Sequence, residues 1–221
     1  MRYQHEDDVR ALLEAHARRG LIAPVDDHDG VFVPSGELRD AASAVLALQA
    51  EEAERLWSGS IDLGALGVYA RGHVAAAAEA PLTLDAFRRQ AGVHHVLPET
   101  DSGQLLGYIT ELRYLRSDVH ADCLAEEGLA GPTARTLHQL WKGFKPSEPV
   151  DRSLIERRMA EIGPQGPVAT EIGTATCVLV EAATDSRFAD VLRDVDEAQS
   201  TALLTGMRAL DGEDPRPEEE R

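Results

Sequence analysis

The sequence predicts a mainly α-helical protein with one or two small β-hairpins, and three observations support this fold class. Apolar residues make up 43% of the chain, and alanine and leucine, which favour helices, dominate them. Apolar residues recur at helical spacing over long segments, of which Gln104 to Glu127 is the longest. Short extended runs beside turn residues follow Leu21 and Gly163, where hairpins are expected.

The first quarter of the chain predicts a helix, a hairpin and a second helix. The segment from Val9 to Leu21 is amphipathic, and Gly20 is expected to end it in the left-handed conformation. The following IAPVDDHDGVFV sets two apolar runs around an acidic turn, which predicts a hairpin. Ser35 can cap the next helix, which extends to Trp57. This order resembles the second half of a winged helix-turn-helix.

The remaining chain predicts further helices at roughly 67–78, near Thr83, and from Gly131 onward. From Asp151 a helix, a short extended piece and a segment expected to be helical from Thr174 through Leu210 repeat the N-terminal order. Either two winged-helix-like halves flank a helical middle, or common helix signals recur by coincidence. The corresponding regions are 1–60, winged-helix-like; 61–146, helical, for ligand binding and dimerisation; 147–210, a second winged-helix-like or helical part; and 211–221, a disordered acidic tail.

The charge of the chain argues against an ordinary DNA-binding surface. The net charge is −17, and it is still about −13 without the tail, which holds six acids and two arginines. A DNA-binding protein of this composition needs a local basic patch. With no signal peptide and no apolar run near about 18 residues, the chain is expected to be cytoplasmic, with no membrane partner. Cys123 and Cys177 match no metal or redox spacing and are expected to be buried, reduced thiols.

Three segments resemble MarR-like winged helix-turn-helix proteins of actinobacteria, in particular a functionally unassigned subgroup. They are LLEAHARRGLIAPVDDHDGVFVPSGELRDAA, LRYLRSDVHADCLAEEGL and VATEIGTATCVLVEAATD, the last ending with Glu181, Thr184 and Asp185. The resemblance implies a helix that enters the major groove, a wing that touches the backbone, and long helices that form a homodimer. It covers about half of the chain, and no single motif in it is specific.

The resemblance implies that Arg10, His16, Arg18 and Arg19 face DNA. Two features depart from the family pattern. Only eight residues precede Val9, where a full winged helix needs scaffold helices, and the wing is acidic where phosphate contact requires arginine or lysine. A winged-helix descendant that keeps its ligand pocket or its dimer surface without binding DNA is therefore the alternative.

The candidate ligand-binding residues lie on the longest helix. Arg113, Arg116 and His120 are spaced by three and four residues, so they share one face, and Tyr108 can add an aromatic wall. Such a face can clamp the anionic group of a small molecule. The alternative is a solvated flank, paired with Glu111 and Asp118.

No motif indicates a metal, a cofactor or a catalytic residue. A histidine-based metal site needs two imidazoles at helical spacing, and His94 and His95 are adjacent in a loop. The acidic turn 26–30 is too short for a calcium loop. The resemblance implies a MarR-like DNA-binding transcriptional regulator that responds to a small molecule. The alternative is a small-molecule-binding protein or an enzyme of specialised metabolism that does not bind DNA.

Overall fold

The computed structural model describes residues 6–25, 32–57, 61–78, 80–82, 86–90, 97–129, 131–146 and 149–211. Over these residues the protein is mainly helical with two small antiparallel hairpins, which confirms the coarse fold class. The elements in chain order are α1 (Glu6–Arg18), β1 (Ile22–Pro24), β2 (Phe32–Pro34), α2 (Gly36–Trp57), α3 (Leu63–Ala77), α4 (Ala86–Gln90), α5 (Asp101–Glu126), α6 (Gly131–Trp141), α7 (Arg152–Glu156), β3 (Ala160–Gly163), β4 (Gly166–Ala169), α8 (Glu171–Val191) and α9 (Glu197–Leu210).

The end of α1 and the start of α2 follow the predicted signals. Gly20 has φ 72°, and the amides of Gly20 and Leu21 donate to the carbonyls of Ala17 and His16, which closes α1 with a Schellman turn. Ser35 Oγ accepts from the Leu38 amide at 3.2 Å, as an N-cap does. Local chain signals therefore predicted both helix boundaries.

Two other boundaries differ from the prediction. Helix α3 begins at Leu63 rather than near residue 67, because Asp62 caps it by accepting from the Ala65 amide at 2.9 Å. The segment expected to be one helix through Leu210 is divided into α8 and α9. Asp196 accepts from the Gln199 amide at 3.0 Å and starts the second helix. An acidic cap can interrupt a helix even where the apolar spacing continues across it.

The second hairpin joins α7 to α8. Strands β3 and β4 pair antiparallel from Ala160 with Ala169 to Gly163 with Gly166, so a two-residue loop connects them. Gly166 has φ 120°, which only glycine adopts readily. The extended piece expected after Gly163 is strand β4. The helix expected from Asp151 to Gly163 was too long, because α7 ends at Glu156 and Ala160–Gly163 form β3.

The chain forms two compact units. Unit 1 comprises residues 1–32 and 119–188, and unit 2 comprises residues 33–118 and 189–221. The core of unit 1 centres on Leu129, Leu137 and Leu154, and that of unit 2 on Leu66, Leu105 and Leu203. The regions predicted from the sequence are consecutive, whereas each unit combines two separate stretches of chain.

Three sequence-based expectations lie outside the described residues: the acidic turn 26–30, the histidine pair 94–95 and the tail from 212 to 221. Among the helices that the structure does describe, none has both the length and the apolar composition to cross a membrane.

Candidate functional site: a cavity in unit 1

Unit 1 contains a cavity of about 450 Å³, formed by the end of α5, by α6 and by α8. The start of helix α8 packs closely against Met159 and Leu137 because Gly173 has no side chain. A Cβ at this position would overlap the carbonyl oxygen of Met159 and would lie 3.0 Å from Leu137 Cδ1. The cavity has the size of pockets that hold small organic molecules.

The floor of the cavity is apolar. Leu129 and Leu137 come from the segment that enters and forms α6, and Cys177 and Val180 come from α8. All four side chains are buried, as is Ala134 beside them. A ligand would therefore place an apolar group against this floor.

The mouth of the cavity is polar. Helix α6 supplies Arg135, His138 and Gln139, of which the first two are exposed, while α5 and α8 supply the half-buried His120 and Glu181. His138 also packs edge-on against Trp141, with ring centroids 5.5 Å apart. Hydrogen-bonding groups at the rim of an apolar cavity can orient a ligand.

A hydrogen-bond relay fixes the tautomer of His120. Thr184 Oγ1 donates its only proton to the Val180 carbonyl at 2.7 Å, as a threonine in a helix commonly does. The contact of 3.0 Å between His120 Nδ1 and Thr184 Oγ1 then requires Nδ1 to be the donor. In the neutral ring, Nε2 consequently carries the lone pair and acts as an acceptor.

Cys177 is not a nucleophile at neutral pH. Burial, and secondarily the negative charge of Glu181, raises the pKa of its thiol to about 11, although Lys142 opposes this shift. A protonated thiol is a poor nucleophile. The thiol therefore acts as part of the apolar floor. Cys123 is likewise buried, and both cysteines are free thiols, as predicted.

The four predicted ligand residues do not lie together in this cavity. His120 lines it, and the other three belong to unit 2. Tyr108 is buried in the core of unit 2, Arg113 is exposed and Arg116 is half-buried. One of the four predicted residues is thus part of the candidate site.

The four predicted DNA-binding residues lie on or just after α1. Arg10, Arg18 and Arg19 are exposed, and Arg18 lies 3.9 Å from Glu14. His16 is half-buried, and among the described residues its buried Nδ1 has no hydrogen-bond partner. The arginines are accessible, whereas His16 turns partly into the protein.

Sequence reasoning missed the polar residues that α6 and α8 contribute to the mouth: Arg135, His138, Gln139 and Glu181. A signal was present in the charge pattern. Residues 128–147 contain no acid, although 39 of the 221 residues are Asp or Glu, and this stretch holds Arg135 and the only two lysines.

The arrangement combines an imidazole, both signs of charge and an apolar floor. Within the described ranges, no group of three or more His, Cys, Asp or Glu side chains is placed to hold a metal ion. Comparison of the chain with protein-family models, curated protein sequences and solved structures finds no match. The function must therefore be inferred from the cavity itself.

Proposed function

We propose that this protein binds a small amphipathic organic molecule in the cavity of unit 1. The observation that carries the proposal is the cavity of about 450 Å³, with its apolar floor and polar mouth. A lined cavity of this size is the usual form of a ligand site.

His120 supplies the directional contact in this proposal. The imidazole lines the mouth of the cavity, and its contact with Thr184 holds the ring in place there, so the ring can orient a polar group of the ligand. The buried thiol of Cys177 adds apolar surface and no covalent chemistry. The proposal is therefore one of binding rather than of nucleophilic catalysis.

The test is a titration with N-phenyl-1-naphthylamine, an uncharged apolar probe whose fluorescence rises in apolar sites and which carries one N–H group. We expect saturable binding with about one site per chain. Gln139→Phe puts a larger side chain in the cavity wall, where it takes up space that the probe needs, and should weaken binding of the probe about tenfold or more. Gln165→Phe makes the same change in the loop between β3 and β4, and should bind as the wild type does.

The probe titration has one supporting outcome and two contradicting outcomes. Loss of binding with Gln139→Phe alone supports the cavity as the site. Equal binding by both variants, or no saturable binding by the wild type, would overturn the proposal. Circular dichroism and the urea midpoint of each variant exclude unfolding as the cause of a loss.

The second candidate is the DNA-binding regulator, in which the same ligand would control a winged-helix dimer. The order of a helix, a hairpin and a long helix occurs twice, as α1 to α2 and as α7 to α8, and this order favours it. The charges favour the first candidate. Strands β3 and β4 and their loop contain Glu161 and no Lys or Arg, and Arg157 is engaged with the carbonyls of Glu127 and Gly128.

Fluorescence anisotropy with DNA from the upstream region of its own gene, at about 20 to 200 mM salt, tests the regulator. Sequence-dependent binding that falls steeply with salt would support it, and the double variant Arg18→Ala, Arg19→Ala should then abolish binding. Absence of binding at low salt would remove this candidate and leave the ligand-binding proposal intact.

A further inference from the structure

Three basic side chains lie together on α6, the helix that borders the cavity of unit 1, and on the turn that follows it. Arg135, His138 and Lys142 are spaced by three and four residues, so they share one face of α6 and its C-terminal turn. In the described part of the chain no ion pair or hydrogen bond engages Arg135, and Lys142 Nζ lies 3.8 Å above the ring of Trp141. This face is basic on a chain of net charge −17.

The field of this cluster extends into the cavity. The positive charge of Lys142 lowers the pKa of Cys177, against the larger effect of burial, and Cys177 forms part of the floor. Arg135 itself lines the mouth. A negative group held at this mouth would therefore be stabilised by Arg135 and, more weakly, by the charge of Lys142.

Glu181 sets a limit on the negative charge. It lines the cavity from α8, and its charge raises the pKa of Cys177. A ligand with two negative charges would meet this carboxylate, and like charges a few ångströms apart repel each other. One negative charge, directed toward α6, fits the mouth best.

We infer that the ligand class is a monoanionic amphipathic acid, with its apolar body against Leu137 and Val180 and its acidic group at Arg135. The inference rests on the proposed function, since it assigns the chemistry of the same cavity. It also assigns the anion-binding cation to α6, whereas the helical spacing in the sequence predicts an anion clamp of Arg113, Arg116 and His120 on α5.

The test measures displacement of bound N-phenyl-1-naphthylamine by decanoate and by decanol, which share a chain length and differ in charge. In the wild type we expect decanoate to displace the probe at an about tenfold lower concentration than decanol. Arg135→Gln should reduce this preference about fivefold or more, while leaving the affinity for the probe and for decanol within about twofold. Glu181→Gln should increase the preference for decanoate.

Arg152→Gln is the matched control, because Arg152 is an exposed arginine of unit 1 that pairs with Glu156 at 2.7 Å and does not line the cavity. It should change neither affinity. If the probe binds but decanoate and decanol compete equally, the ligand class is overturned and the proposed function stands. If Arg135→Gln weakens both competitors alike, or Arg152→Gln matches its effect, the assignment to Arg135 is wrong. If the probe does not bind at all, the proposed function itself fails.

Discussion

Helices α2 and α8 both follow a hairpin and both begin after a capping hydroxyl, yet they bury different amounts of surface. Helix α8 buries one regular stripe, formed by Gly173, Thr176, Cys177, Val180 and Thr184. Helix α2, with 22 residues, buries only Ala50 and Ala53, both in its second half. One helix therefore belongs to the wall of the cavity, and the other is largely solvated.

On both helices the buried face contains small side chains, and several large apolar side chains are exposed. On α8 glycine and threonine are buried together with Cys177 and Val180, whereas Val178 and Leu179 are exposed. On α2 Val45 and Leu48 are exposed and alanines are buried. Close approach of two elements favours small residues, because a larger side chain would hold the backbones apart.

The largest difference in stability between α8 and α2 is expected when the glycine near the start of each helix is replaced by alanine. Gly173→Ala should lower the free energy of unfolding by about 3 kcal/mol, because its Cβ would overlap the Met159 carbonyl oxygen. The Cβ that Gly36→Ala adds has no atom within 4 Å, so this substitution should change the free energy of unfolding by less than about 0.5 kcal/mol. Urea unfolding followed by tryptophan fluorescence measures both.

The chain provides a separate probe for each unit. Trp141 belongs to unit 1 and Trp57 to unit 2, so Trp57→Phe and Trp141→Phe backgrounds report on one unit at a time. Equal effects of the two glycine substitutions would contradict the difference in packing between α8 and α2.

Valine to alanine gives the next largest difference. Val180 is 2% exposed and lines the cavity floor, so Val180→Ala should cost about 2 kcal/mol through lost burial and a larger void. Val45 is 53% exposed, and Val45→Ala should be neutral within about 0.5 kcal/mol. Urea unfolding followed by tryptophan fluorescence measures both costs. A cost at Val45 as large as that at Val180 would show that the first half of α2 is packed in solution.

Local signals predicted the elements better than they predicted the site. Ser35, Gly20 and the glycine-rich hairpin turn act through neighbouring residues, so their roles can be derived from the sequence. His120 was found because helical spacing set it beside an apolar stripe. Arg113 and Arg116 share that spacing, but the boundary between the units falls at residue 118.

The residues that α6 and α8 bring to the mouth could not be predicted from spacing. Arg135 and Glu181 are 46 positions apart in sequence, and only the packing of α6 with α8 places both at one cavity. The absence of acids from residues 128–147 was the available signal, and it identifies a basic segment without showing what that segment borders.

Removing the capping hydroxyl of α8 or of α2 should give a smaller difference in stability between the two helices. Thr170 Oγ1 accepts from the Gly173 amide at 3.2 Å and donates to the Arg158 carbonyl at 2.5 Å, so Thr170→Ala loses two hydrogen bonds. We expect a cost of about 1.5 kcal/mol. Ser35→Ala loses the single bond from the Leu38 amide and should cost about 0.5–1 kcal/mol.

Hydroxyl-retaining variants provide the control for the caps. Thr170→Ser and Ser35→Thr keep the capping oxygen, and each should recover most of the stability that its alanine counterpart loses. If Ser35→Ala proves the more costly of the two alanine substitutions, the cap of α2 is more important than its exposed surroundings indicate.

The last difference is a dependence on alkaline pH, which α8 should produce through the buried Cys177 and which α2, whose buried residues are alanines, should not produce. Burial raises the pKa of Cys177 from 9.0 to about 11. Below pH 9 the thiol is protonated in both states and contributes no slope. As the pH rises from 9 toward 11, the unfolded chain releases this proton and the folded chain retains it, so the free energy of unfolding should fall.

The difference in free energy of unfolding between the wild type and Cys177→Ala, followed by Trp141 from pH 8 to about 10.5, isolates this contribution. The stability of the wild type relative to the variant should decline above pH 9. Trp57 should report no such decline in the difference between wild type and variant, because Cys177 belongs to unit 1 and Trp57 belongs to unit 2. A relative stability that rises with pH would mean that the thiolate is stabilised in the folded protein, and Cys177 would then be a reactive group rather than part of an apolar floor.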